Sequence, residues 1–137
     1  MKKREEYSTG KKLGLSVEYD ENGNVIAEGS YVEDFKDGSW NIVVGDNTEK
    51  GIYKMGEKHG QWKHFYPTGE QRFVGNFTLG KENGKHKYFY SNGSEQLVSN
   101  YKSGKRVGKW IFYKETGEPY LMIFYKNNIE TKIVTVQ

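Results

Sequence analysis

The stretch Y-K-S-G-K-R-V-G-K-W-I-F-Y-K-E-T-G-E, residues 101–118, decides the fold. Taken alone, its G-K-R-V-G-K at 104–109 looks like a phosphate-cradling loop. A nucleotide-binding loop needs G-x-x-x-x-G-K-[ST], with the hydroxyl held to Mg²⁺ and a helix behind it. From Gly104 to Gly108 the spacing is one residue short, Trp110 stands where the hydroxyl belongs, and strand formers follow. The same glycine pair recurs at 56/60 and 80/84 without any other nucleotide-loop character. The stretch is a bend, and its importance lies in its repetition.

Aromatic markers set the period: Tyr7, Tyr31, Tyr53, Phe77, Tyr101 and Tyr125 stand 24, 22, 24, 24 and 24 residues apart. Seven positions after each of the first five comes a glycine: Gly14, Gly38, Gly60, Gly84 and Gly108. Two beyond that come Ser16, Trp40, Trp62, His86 and Trp110, so all three tryptophans occupy one repeat position. A further glycine follows the marker by three residues at Gly10, Gly56, Gly80 and Gly104, with Asp34 and Asn128 in the other copies. Turn signals close each first strand: E-N-G-N at 21–24, P-T-G-E at 67–70, S-N-G-S at 91–94 and E-T-G-E at 115–118. Glycine readily takes the positive φ that tight hairpins need, so each copy reads as a β-hairpin. The second copy, W-N-I-V-V-G-D-N, is two residues short and predicts a tighter turn.

A lone hairpin is marginal in water, and each aromatic gains its burial only when the next hairpin supplies the other wall. The copies therefore have to stack into one array. The expectation is a single all-β domain over 1–137: an elongated, single-layer antiparallel meander of hairpins with aromatics lining a concave side. Repeats start near 7, 31, 53, 77 and 101, with a terminal strand from 125. The first copy, with Ser16, Glu18 and Asp20 at aromatic positions, and the polar tail after Tyr125 read as caps.

Composition agrees. The 137 residues hold 17 glycines and 11 tyrosines but 2 prolines, which suits short strands and tight turns and argues against disorder. A net charge of +3 is too small to argue for nucleic acid, and none is expected as a partner. With no cysteine, disulfides, thiolate nucleophiles and Cys-based zinc sites are excluded. The N-terminal M-K-K-R-E-E-Y has no apolar segment of a signal peptide, and no apolar run approaches the roughly 18 residues of a spanning helix. The expected location is cytoplasmic.

The pattern Y-x-x-G-x-x-x-G-x-W-x-x-[YF]…G-E, carried by 101–118 and by Y-K-M-G-E-K-H-G-Q-W-K-H-F-Y-P-T-G-E at 53–70, resembles the MORN repeat (membrane occupation and recognition nexus). More narrowly, it is similar to the bacterial variant found in YwqK-type antitoxins. The resemblance runs from about residue 7 to 128. It implies an extended sheet of hairpins used as a binding or scaffolding surface, with no cofactor. For some relatives it implies acidic phospholipid as the partner, and for the YwqK type a toxin to be neutralised.

Sites for chemistry are sparse. His59 falls in a loop, while His64 and His86 take positions that are apolar or aromatic in other copies, which reads as packing rather than metal binding. Carboxylates scatter through turns and no Ser/His/Asp set recurs, so neither a catalytic nor a metal site is expected, and the chain reads as a non-enzyme. Charge is more informative. The inter-hairpin bends carry Lys11, Lys12, Lys36, Lys58, Lys81, Lys85, Lys105, Arg106 and Lys109 against Asp34, Asp37, Glu57 and Glu82, whereas the hairpin turns carry Asp20, Glu21, Asp46, Glu70, Glu115 and Glu118 against Lys114. Stacking in register makes one long edge basic, densest at Lys81, Lys85, Lys105, Arg106 and Lys109, and the other acidic. A single-layer sheet leaves part of its aromatic face uncovered. Trp62, Tyr66, Tyr88, Tyr90, Trp110 and Phe112 are the candidates to meet a partner. The segment I-E-T-K-I-V-T-V-Q at 129–137 reads as an edge strand able to pair with another chain. The functional expectation is a protein-binding repeat module, most specifically an antitoxin or immunity protein. The alternative is a peripheral scaffold on anionic membranes.

Overall fold

The computed structural model describes residues 10–137 in full, together with the backbone of 2–4 and 7–8. The side chain of Tyr7, the first marker, lies outside the described residues. All regular structure is β. β1 (Lys2–Arg4) precedes the first copy, which contains β2 (Tyr7–Ser8), β3 (Lys11–Lys12), β4 (Gly14–Tyr19) and β5 (Val25–Val32). The second and third contain β6 (Phe35–Val44), β7 (Asn47–Lys54), β8 (Glu57–Phe65) and β9 (Gln71–Thr78). The fourth and fifth contain β10 (Lys81–Glu82), β11 (Gly84–Phe89), β12 (Glu95–Lys102), β13 (Lys105–Arg106), β14 (Gly108–Tyr113) and β15 (Pro119–Lys126), and β16 (Ile129–Thr135) follows. Fourteen of these form one open antiparallel sheet that runs in chain order from β1 and β4 to β16, and β2 pairs with β3 alone. The expected single-layer meander is the observed fold.

The G-x-x-x-G bend resolves into two devices. Its first glycine closes a two-residue turn. Positive φ at both central residues, as in Leu79 (50°) with Gly80 (80°) and Ser103 (49°) with Gly104 (83°), marks a type I′ turn. Asp34 and Asn128 replace glycine there at φ 72° because their short polar side chains tolerate the left-handed region. A backbone bond links each turn to the preceding bend: Gly56 N–H to Lys36 O (2.8 Å), Gly80 to Lys58 (2.9 Å), Gly104 to Glu82 (2.8 Å) and Asn128 to Arg106 (2.9 Å).

The second glycine opens a wide bulge. Between the pairs Ile52↔His59 and Lys50↔Lys63, three residues, 60–62, face the single Gly51. Gly84 holds φ at 92°, a conformation costly for a branched side chain. Gly84→Val is therefore expected to destabilise by about 1–3 kcal/mol in urea melts; an unchanged midpoint would refute this role.

The bulge lays the third residue of the excursion onto the small residue opposite. A Cβ added at Gly29 would fall inside the Trp40 ring, and one at Gly51 inside Trp62. Each anchor then donates to the carbonyl ten residues back: Trp40 Nε1 to Ser30 O (3.0 Å), Trp62 Nε1 to Ile52 O (3.0 Å) and Trp110 Nε1 to Asn100 O (3.1 Å). The markers stand edge-on between the anchors, as in Tyr53–Trp62 (5.0 Å, 78°) and Tyr101–Trp110 (5.2 Å, 64°). The result is a ladder of rings along one face, and it is the core of a one-layer protein: Trp40, Trp62, Phe73 and Trp110 are its buried apolar residues, while Val98 is buried on the other face.

The second hairpin is the tight one expected. Its strands pair without a bulge down to Val44↔Asn47 around Gly45 and Asp46. In the other four hairpins the register slips by one beside the turn, leaving Ile26, Arg72, Gln96 and Tyr120 as the extra residues.

Candidate partner-binding groove on the aromatic face

His86 stands at an anchor position and behaves as one. It is buried, its ring lies between Phe77 (5.3 Å) and Tyr101 (5.0 Å), and Nε2 donates to Asn76 O at 2.8 Å. The Phe73 ring lies 5.4 Å from the imidazole as well. Burial disfavours the imidazolium and holds His86 below its ordinary 6.5, outweighing the Asn76 carbonyl and Glu82, which act the other way. His64 is lowered mainly by burial as well, although Glu49 Oε1 lies 3.6 Å from its Nε2. As pH falls below about 6.5 the unfolded chain takes up these protons before the folded one, so stability should decline with acidification. The decline should begin near pH 6.5 and end where the folded imidazoles themselves protonate. His86→Gln should flatten it, leaving the share of His64. Urea midpoints measured between about pH 8 and 5 check this, and a wild-type profile independent of pH would refute it.

Towards the hairpin-turn side of the ladder, two adjoining hollows open on the same face. The larger, about 450 Å³, is lined by Asp46, Asn47, His64, Tyr66, Arg72, Phe73, Tyr88 and Gln96. The smaller, about 280 Å³, is lined by Tyr88, Gln96, Leu97, Tyr101, Trp110, Phe112 and Tyr120. Tyr88 and Gln96 border both, which makes one groove from the turn of the second hairpin across the third to fifth. The bulges build it: the extra residue of a bulge turns its side chain out of the strict alternation, and Arg72, Gln96 and Tyr120 all reach the groove this way. Tyr88 and Tyr120 are 37% and 40% exposed. In the larger hollow Arg72 pairs with Asp46 (3.3 Å) and stacks over Tyr66 (4.5 Å).

Of the aromatics expected to meet a partner, Tyr66, Tyr88, Trp110 and Phe112 line this groove. Trp62 does not: at 0% exposure it is sealed beneath its neighbours. Tyr90 is outside the lining as well. Its hydroxyl donates to Tyr113 O at 2.6 Å, as Tyr66 donates to Phe89 O at 2.6 Å, so both phenols pin one hairpin to the next. Arg72, Gln96 and Tyr120 were not among the expected residues. A signal for them exists, since each stands three positions after its turn glycine, Gly69, Gly93 or Gly117.

The five residues expected where the basic edge is densest are all exposed, but they differ in placement. Lys81 and Lys105 flank the turns, Lys85 and Lys109 pair with Asn100 and Phe124 on the face away from the tryptophans, and Arg106 covers Tyr125 at 4.7 Å. No cluster of three or more potential metal ligands occurs among the described residues.

No curated protein matches the chain. The model of the MORN repeat variant matches three times, at residues 12–33, 58–77 and 106–127; between those matches the fourth hairpin keeps the turn bulge with His86 as its anchor, and the second keeps the Trp40 anchor with a tighter, unbulged turn.

Proposed function

We propose that the chain is a non-enzymatic binding module whose partner is another protein, held across the aromatic face of the third to fifth hairpins. The observation that carries this reading is the continuous groove with the exposed Tyr88 and Tyr120 at its walls. Aromatic side chains that are partly exposed around a concavity have the composition of interface centres. MORN-type repeats act generally as binding modules, which agrees. The most specific version is an antitoxin or immunity role, with a toxin as the partner.

A photo-crosslinking side chain placed at Tyr120 tests this in the native cell. Ile52, 46% exposed and paired with Ser39 on the other face, is the control position. The expected result is a discrete protein adduct from position 120 and none from 52. Adducts from 52 alone would overturn the reading. The antitoxin version further requires that co-expression with the captured protein relieve its growth inhibition.

A second reading has its own observation. The tips of two bends present Met55 (59% exposed) and Leu79 (62% exposed) in the left-handed region, close in sequence to Lys54 and Lys81. Apolar tips beside cations suit a peripheral anionic membrane. Flotation with phosphatidylserine vesicles, lost on Leu79→Asn together with Lys81→Glu, would support it; no flotation at low salt would exclude it.

A further inference from the structure

The chain covers its own aromatic face with cations. Two residues before the bulge glycine, Lys12 stands 4.8 Å from the Tyr31 ring, Lys36 5.4 and 5.3 Å from Trp40 and Tyr53, and Lys58 4.8 and 5.2 Å from Trp62 and Phe77. Arg106 at the same step covers Tyr125. A second route runs through the hairpin bulge, where Arg72 covers Tyr66. Both routes are closed at the smaller hollow. The fourth copy has Glu82 in place of the lysine, and the bulge positions beside the hollow hold Gln96 and Tyr120. Among the described residues, no Lys or Arg stands over the rings of Tyr88, Tyr101, Trp110, Phe112 or Tyr120. Burial disfavours the charged form of His86.

We propose that this hollow receives a lysine or arginine side chain of the protein partner. The inference rests on the groove being the binding surface and adds what must enter it. Five aromatic rings line about 280 Å³, aromatic faces attract cations, and Glu82 supplies the counter-charge where the sister copies supply the cation itself. The Tyr88 and Tyr101 hydroxyls report this field. Burial raises both above their ordinary range, and Glu82 raises them further, with Arg106 opposing it at Tyr101. The neighbouring hairpin turn carries Glu115 and Glu118 against Lys114, a net negative charge that adds to the attraction.

The test is an aromatic-resolved NMR titration of the full chain with N-acetyl-arginine amide and N-acetyl-lysine amide, against the neutral isostere N-acetyl-citrulline amide. Saturable shifts of the Tyr88, Tyr101, Tyr120 and Trp110 rings are expected with the two cations and not with citrulline. Glu82→Lys, which restores the pattern of the sister copies, should weaken the cation sites about tenfold with an unchanged urea midpoint. Tyr120→Ser, at an exposed wall, should do the same. Equal shifts with citrulline, no saturable shifts, or full affinity in both variants would overturn the proposal. If crosslinking from position 120 persists in that case, the groove stands and only its cationic occupant is wrong. If crosslinking is absent too, both readings fall.

Discussion

Trp62→Ala is expected to lower the unfolding free energy by about 3–5 kcal/mol, the range for removing a fully enclosed large aromatic. Trp62 is 0% exposed and packs edge-on against Tyr53, with the Lys58 ammonium 4.8 Å above it. Relaxation cannot refill the space, because the residue beneath is Gly51, which has no side chain to offer. The mutation also leaves Ile52 O without the indole donor. In a one-layer array each repeat is held by its neighbours, so the loss falls on the joint between the second and third hairpins. Urea denaturation followed by circular dichroism measures it. A loss below about 1 kcal/mol, the size of a single net hydrogen bond, would mean that the ring fills no enclosed space.

The array was legible because its determinants are local and recur. The glycine pair, the turn glycine and the anchor each need a particular residue type at a fixed offset, so they show as a period. The tighter second hairpin was readable for the same reason, from two missing residues. What alternation hides is the bulge. A slip of one residue turns Arg72, Gln96 and Tyr120 onto the aromatic face, although counting along the strand places them on the other. Trp62 was expected among the partner-facing aromatics on the argument that one layer cannot cover so many rings. The missing element was the cover itself: a ring folded onto glycine with a lysine stem across it needs no second layer.

The same geometry explains why the groove opens where it does. On the first and second hairpins the hairpin-turn side of the face holds Ala27, Ile42 and Glu49 in cross-strand register, followed by His64 and Phe73. Glu49 is paired with Lys58 (3.7 Å), which ties the polar part of this row to the repeat's own cation. From Phe73 onward the row becomes Tyr88, Leu97, Phe112 and Leu121, apolar and aromatic without a break. The two rows thus differ in their place: anchors and markers hold the hairpins together, and the row beside them lines the groove.

Gly51→Val is expected to destabilise by about 3 kcal/mol, at the upper end of overpacking costs. Gly51 is not a turn residue, and its φ lies outside the left-handed region, so backbone strain is not the cause. The cause is space: its missing Cβ is where the Trp62 indole lies. Any side chain must push the ring outward, stretching its bond to Ile52 O and its packing on Tyr53. Gly51→Ala should already cost most of this, whereas at a position limited by turn geometry alone the volume of the new residue would matter less than its branching. A double-mutant cycle separates the two causes. In a Trp62→Ala background the ring is gone, and Gly51→Val should become nearly neutral, because valine in an extended strand is otherwise favourable. If the cost of Gly51→Val is the same in both backgrounds, the glycine is not the seat of the tryptophan, and the account of how this one-layer sheet makes a core fails.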